Sequence, residues 1–130
     1  MKRIGLLGCG AIGTQIAIAI DTGIIQAQLT HIFDTDKKNA ENLVTKLKQK
    51  PIIVENVHLL SSNPVDLIVE AASQQAVSDN ALSILQNRRD LMIMSAGALL
   101  DESVFEIISD ACREFKKTVY LPSGAISGID

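Results

Sequence analysis

The chain has 130 residues, of which 47% are hydrophobic, 21% charged and 3% aromatic, with a formal net charge of -3. That length suits one globular domain with its own core, and the composition excludes collagen-like, disordered and disulfide-stapled classes. Net negative charge and the few aromatic rings, at Phe33, Phe105, Phe115 and Tyr120, argue against a nucleic-acid partner, which needs basic surface or stacking platforms.

Short β-like runs alternate with helical patterns from end to end. Met1-Lys2-Arg3 leads into a first strand, Arg3 to Leu7, rather than an export signal, because Gly5, Gly8 and Gly10 break the apolar run. The next segment, Ala11 to Ile20, is apolar on most faces and predicts a buried helix. A second strand covers Leu29 to Phe33. A helix then starts near Asp36, with Ala40, Leu43, Val44 and Leu47 at i, i+3, i+4 and i+7 and a solvated face carrying Lys37, Lys38, Glu41, Lys46 and Lys48. Ile52 to Val54 reads as the third strand, Asn56 to Pro64 as a loop with a short helical turn, and Asp66 to Glu70 as the fourth strand. Val77, Ala81, Ile84 and Leu85 stripe the following helix. Leu91 to Ser95 forms the fifth strand, and Asp101-Glu102 opens a helix striped by Val104, Ile107, Ile108, Ala111 and Phe115. Thr118 to Leu121 is the sixth strand.

This alternation predicts an α/β fold: a Rossmann-type, doubly wound, mostly parallel six-stranded sheet with helices on both faces. Residues 1–121 make the nucleotide-binding domain, and 122–130, rich in Gly and Ser, read as the start of a linker. No apolar run approaches the ~20 residues that span a bilayer, so no membrane partner is expected. Cys9 and Cys112 lie far apart, without ligand-like spacing, which suggests neither a metal site nor a disulfide and makes a cytoplasmic setting the default.

Gly8-Cys9-Gly10-Ala11-Ile12-Gly13 matches G-x-G-x-x-G between a predicted strand and a predicted helix, the context that gives the pattern meaning. Gly8 permits the tight turn, Gly10 lets the backbone approach a pyrophosphate, and Gly13 allows close packing of helix on strand. The free N–H groups at the start of the helix then attract the anion. Asp34 stands 21 positions after Gly13, at the end of the second strand. A carboxylate there accepts hydrogen bonds from ribose hydroxyls and repels a 2′-phosphate, so NAD is expected; Lys37 and Lys38 could reach that phosphate and keep NADP as an alternative. Asp34 could instead cap the next helix, a role that Asp36 fills at least as well.

After the fourth strand, Ala71, Ala72 and Ser73 leave room for a ribose and nicotinamide, although Ser73 also suits a helix cap. Ala96 and Gly97 occupy the equivalent place after the fifth strand. His31 and His58 read as core or surface residues. Cys9 reads as a small residue filling the turn, with a thiolate near the helix N-terminus as the other option. With no Ser/His/Asp constellation, no H-E-x-x-H and no Walker lysine, no catalytic residue is assigned.

GCGAIG at Gly8 to Gly13, EAASQQAV at Glu70 to Val77, SAGAL at Ser95 to Leu99 and LPSGAISGID at Leu121 to Asp130 together resemble the L-aspartate dehydrogenase family, in register along the whole chain. The resemblance implies cofactor contacts from Gly10, Ala11, Ile12, Asp34, Ala72 and Ala125. It also implies oxidation of L-aspartate at Cα with NAD(P) to iminoaspartate, which feeds NAD biosynthesis or hydrolyses to oxaloacetate and ammonia. In that family a histidine of a second domain assists, so the chain is expected to stop before the substrate site and to be inactive alone. The full-length family pairs largely through that second domain; here the sheet face it would cover could support a weak homodimer. Two other readings are a stand-alone NAD-binding or redox-sensing module, and another amine or semialdehyde dehydrogenase with the same first domain.

Overall fold

A computed structural model describes residues 1–122 and 124–127. The elements in chain order are β1 (Arg3–Leu7), α1 (Ala11–Asp21), β2 (Gln28–Phe33), α2 (Lys37–Thr45), β3 (Ile52–Ile53), α3 (Val57–Ser62) and β4 (Leu67–Glu70). They continue as α4 (Gln74–Gln86), β5 (Asp90–Ile93), a 3-10 turn (Ala96–Leu100), α5 (Glu102–Phe115), β6 (Thr118–Leu121) and β7 (Gly124–Ser127). One sheet takes them in the order β3-β2-β1-β4-β5-β6-β7. The first six strands are parallel, as their alternation with helices predicts. The seventh is an addition: β7 turns back antiparallel on β6, pairing Leu121 with Gly124 and Thr118 with Ser127. It lies within the segment read as a linker, where small residues give no strand pattern and the pairing comes from the neighbouring edge of β6.

Two apolar layers sandwich the sheet. Ile4, Leu6, Ile32, Leu67 and Val69 pack under Ala17 and Ile20 of α1 and Ala40 and Leu43 of α2. On the other face Leu7, Ile68, Leu91, Ile93 and Val119 pack with Leu60 of α3, Val77, Ala81, Ile84 and Leu85 of α4, and Ile108, Ala111 and Cys112 of α5. All four residues of β4 are buried, as expected of a central parallel strand covered on both sides. The predicted stripe on α5 needs one correction: Ile107 is 49% exposed, because neighbours 107 and 108 lie about 100° apart around a helix and only Ile108 faces the sheet.

Local chemistry sets the helix starts. The side chain of Asp36 accepts from the Lys38 N–H at 3.0 Å to cap α2, Asn56 accepts from Leu59 at 2.8 Å to cap α3, and Asp101 accepts from Ser103 at 2.9 Å to cap α5. At the amino end of β1, Arg3 and Asp66 form an ion pair at 3.2 Å, and the Arg3 backbone N–H donates to the same carboxylate at 2.7 Å. Hydrogen bonds from the Arg3 side chain and then its backbone hold the Asp66 carboxyl down at about 2. A depressed carboxylate contributes stability above its unfolded value of ~3.9 and loses that contribution as pH falls through the folded value. Both side chains are more than one-third exposed, so the effect is small. Asp66→Asn is therefore expected to melt slightly below the parent near neutral pH, with the gap closing between about pH 4 and pH 2. A gap that stays constant in thermal melts across that range would refute the linkage.

Candidate functional site

From β1 the chain winds outward through β2 and β3, then returns to place β4 on the opposite side of β1. The connections after β1 and β4 therefore diverge and open a crevice at the carboxyl ends of the strands, where open α/β sheets bind ligands. A cleft of about 870 Å³ lies there. Gly8, Gly10, Asp34, Ala71, Ala72 and Ser73 line it, together with Asn56, His58 and Asn80.

The glycine turn has a different physical reason at each position. Gly8 has φ +105°, its N–H donates to the Phe33 carbonyl at 2.8 Å, and a Cβ would stand 2.6 Å from the Ala71 carbonyl oxygen. At Gly13 a Cβ would run into the Gly8 carbonyl oxygen, so α1 packs on the turn more closely than any other residue allows. Gly10 is the N-cap of α1, yet a Cβ there would meet nothing within 4 Å. No side chain caps this helix, and its first internal bond runs from the Thr14 N–H to the Gly10 carbonyl at 2.9 Å. The N–H groups of Ala11, Ile12 and Gly13 are thus left without helical partners at the positive pole of the helix. Ile12 is 54% exposed and Ala11 exposed at the same end.

Asp34 is fixed against this turn. One carboxylate oxygen accepts from the Cys9 N–H and the other from the Asp36 N–H, each at 2.8 Å. Each oxygen keeps a lone pair for a further donor. Asp36, not Asp34, caps α2. Lys37 and Lys38 occupy the exposed first turn of that helix.

Cys9 is buried, and burial first, then the Asp34 charge, pushes its thiol up to about 12. The side chain fills the turn as a neutral thiol; the thiolate option has no support here. Native protein near pH 8 is expected to react with iodoacetamide at Cys9 far more slowly than urea-unfolded protein. Modification of the native chain at the unfolded rate, read by mass spectrometry, would refute this.

At the end of β4, Ser73 caps α4 by accepting from the Ala76 N–H at 3.0 Å, while still lining the cleft. Ala96 and Gly97 begin the 3-10 turn and do not line this cleft. Gly97 instead leaves room for the Gln74 side-chain amide, which a Cβ would strike. Ala125 pairs with Tyr120 on β7, and its side chain lies outside the described residues. His31 is buried with Nδ1 2.8 Å from Thr30 Oγ1, and burial lowers its pKa. His58 stands exposed on α3 at the cleft rim. Among the described residues no three His, Cys, Asp or Glu side chains gather as metal ligands, and no helix is long and apolar enough to cross a membrane.

Three further cleft-lining residues carry no motif signal: Asn56, the N-cap of α3, and His58 and Asn80 on α3 and α4. Sequence motifs likewise give no role to Glu70, whose buried carboxylate collects hydrogen bonds from the loops after β4 and β5.

The sheet order and the turn at its switch point define a dinucleotide-binding domain of the Rossmann class. More narrowly, the chain belongs to the family described as the NAD-binding domain of homoserine dehydrogenase, which matches residues 8–122. Along its whole length it is 65% identical to the L-aspartate dehydrogenase of Nitrosopumilus maritimus and 43% identical to that of Methanocella arvoryzae, spanning 48% and 47% of those proteins. It thus spans about half the length of the curated relatives it matches. Among solved structures, myo-inositol dehydrogenase from Lactobacillus casei, in complex with NAD(H) and myo-inositol, aligns with a TM-score of 0.85 at 16% identity, over 94% of this chain and 36% of that one. The WlbA dehydrogenase from Bordetella pertussis, in complex with NADH and UDP-GlcNAcA, aligns with a TM-score of 0.79 at 21% identity, over 93% and 37%. At such identities the likeness is one of fold.

Proposed function

We propose that this chain is the NAD-binding half of an L-aspartate dehydrogenase. The observation that carries the reading is the cleft at the switch point, where an uncapped helix N-terminus, an open position at Gly10 and the fixed Asp34 carboxylate face one space. These features fit a dinucleotide. The N–H groups of Ala11, Ile12 and Gly13 would hold the pyrophosphate, with Gly8 and Gly10 keeping side chains out of its path. Asp34 would accept from the adenosine ribose hydroxyls, which favours NAD over NADP. Ala71, Ala72 and Ser73 would flank the other half of the molecule, with Ala96, Gly97 and Ala125 beyond them.

When bound at these residues, NAD would supply a hydride acceptor for oxidation of the amine at the substrate Cα. The chain's own part is to bind and orient. The groups that hold two substrate carboxylates and take the amine proton belong, in this reading, to the portion of the relatives that these 130 residues do not span. The substrate assignment rests on the 65% identity to a protein named for it. The product, iminoaspartate, suits a role in NAD biosynthesis. Two buried, unpaired cysteines suit a reducing, cytoplasmic setting.

Calorimetry tests the first part: NAD is expected to bind the 130-residue chain, and no heat at millimolar NAD would sink the reading. NADH formation by a protein carrying both halves tests the second. L-aspartate is expected to be oxidised and homoserine not, and the reverse preference would overturn the substrate.

A further inference from the structure

The connections after β4 and β5 are joined by one side chain that the reading above leaves unused. Glu70 is the last residue of β4 and is only 1% exposed. One carboxylate oxygen accepts from the N–H groups of Met94 at 3.1 Å and Ser95 at 2.9 Å; the other accepts from the Ala72 N–H at 2.7 Å and the Ser95 hydroxyl at 2.8 Å. Burying a carboxylate is costly unless its lone pairs are filled, and here four donors fill them.

The position is informative. Pairing of β4 with β5 ends at the rung Glu70 to Ile93. Beyond it the strands separate, and the N–H groups of Ala72 and Ser95 would have no partner in the sheet. The Glu70 side chain acts as the next rung, bridging the two departing backbones.

We propose that Glu70 is a positioning residue: by tying the cleft-lining loop Ala71–Ser73 to the backbone of Met94 and Ser95, it fixes that loop as a preformed seat for the nicotinamide half of the cofactor. The sheet order supplies the direction. Asp34 stands at the end of β2 and the α1 N-terminus follows β1, so a dinucleotide lying from one across the other carries its second half over the ends of β4 and β5. Ala72, which Glu70 holds directly, lines the cleft. The inference rests on the NAD-binding reading, but it makes a separate claim: Glu70 governs one half of the ligand and leaves the other alone.

Glu70→Gln keeps the shape and replaces one acceptor oxygen with an NH2 group that must face donors. The test compares NADH with ADP-ribose, which lacks nicotinamide, by calorimetry on parent and variant, with melting curves to establish folding. The variant is expected to bind NADH about tenfold more weakly and ADP-ribose within about twofold of the parent. Equal losses for both ligands, or no loss for either, would overturn the proposal. A parent that binds neither ligand would overturn the NAD-binding reading, and this inference with it. If Glu70→Gln does not fold, Ser95→Ala decides, since it removes one donor of the four: a loss of about threefold confined to NADH supports the seat, and unchanged NADH binding refutes it.

Discussion

A Gly8→Ala variant is expected to lose much of its folding stability and, with it, the nucleotide cleft. Two independent costs meet at this residue. The backbone sits at φ +105°, a conformation that L side chains rarely adopt, which costs ~1–3 kcal/mol. The new Cβ would also stand 2.6 Å from the Ala71 carbonyl oxygen and 2.8 Å from the Ala72 nitrogen. Those are backbone atoms, held by the Ala71 N–H bond to the Leu7 carbonyl at 2.8 Å, so nothing can swing aside, and overpacking adds a further ~1–3 kcal/mol. Together the costs take a large share of the ~5–15 kcal/mol that stabilises an ordinary domain. Gly10→Ala is the control. Its φ of -80° is unstrained and its Cβ meets nothing, so the fold should persist while NAD affinity falls about tenfold. Thermal denaturation followed by circular dichroism separates the two. A Gly8→Ala melting point within about 2 °C of the parent would refute the strain account.

Where the sequence is legible in this chain, local chemistry and tertiary packing agree. β1 and β6 fall on the predicted residues because their apolar runs are bounded by turn and helix-end signals. α2 begins after Asp36 because a carboxylate cap announces itself. Disagreement has a physical source in each case. The fifth strand, predicted to reach Ser95, stops at Ile93: the Met94 N–H still reaches the Glu70 carbonyl at 3.1 Å but is shared with the Glu70 carboxylate, and the Ser95 N–H donates to that carboxylate. The helical turn expected in Asn56 to Pro64 grows to the six residues of α3, anchored by Leu60, which is buried against the sheet. β7 exists through its pairing with β6, a tertiary event that small residues do not encode.

The candidate site divides in the same way. Gly8, Gly13 and Asp34 stand out because steric exclusion and charge restrict their positions to few residue types. At Gly97 the expected ligand contact and the observed packing on Gln74 ask for the same small residue, so sequence could not separate them. No local pattern marks Glu70, because its hydrogen-bond donors come from two loops that only the sheet brings together.

Asp34→Asn is expected to shift the preference between NAD and NADP by about 100-fold, close to 2.8 kcal/mol, mostly through recovered NADP binding. In the parent, the carboxylate is pinned by the Cys9 and Asp36 N–H groups and cannot rotate away from an incoming 2′-phosphate. Like charges brought together in a partly buried site cost several kcal/mol, more than the exposed Lys37 and Lys38 return through solvent. Removing the charge while keeping an amide of the same shape reverses that balance, because the two lysines on the first turn of α2 then face the phosphate unopposed. The substitution has a structural cost of its own: an amide offers one oxygen where two N–H groups need acceptors, so about 1–2 kcal/mol of folding stability should be lost. Melting curves measure that loss separately from binding. Calorimetry with both cofactors at fixed ionic strength gives the ratio, and adding Lys37→Gln and Lys38→Gln should cancel most of the NADP gain. A folded Asp34→Asn variant whose NADP affinity equals the parent's would show that Asp34 does not set the cofactor preference.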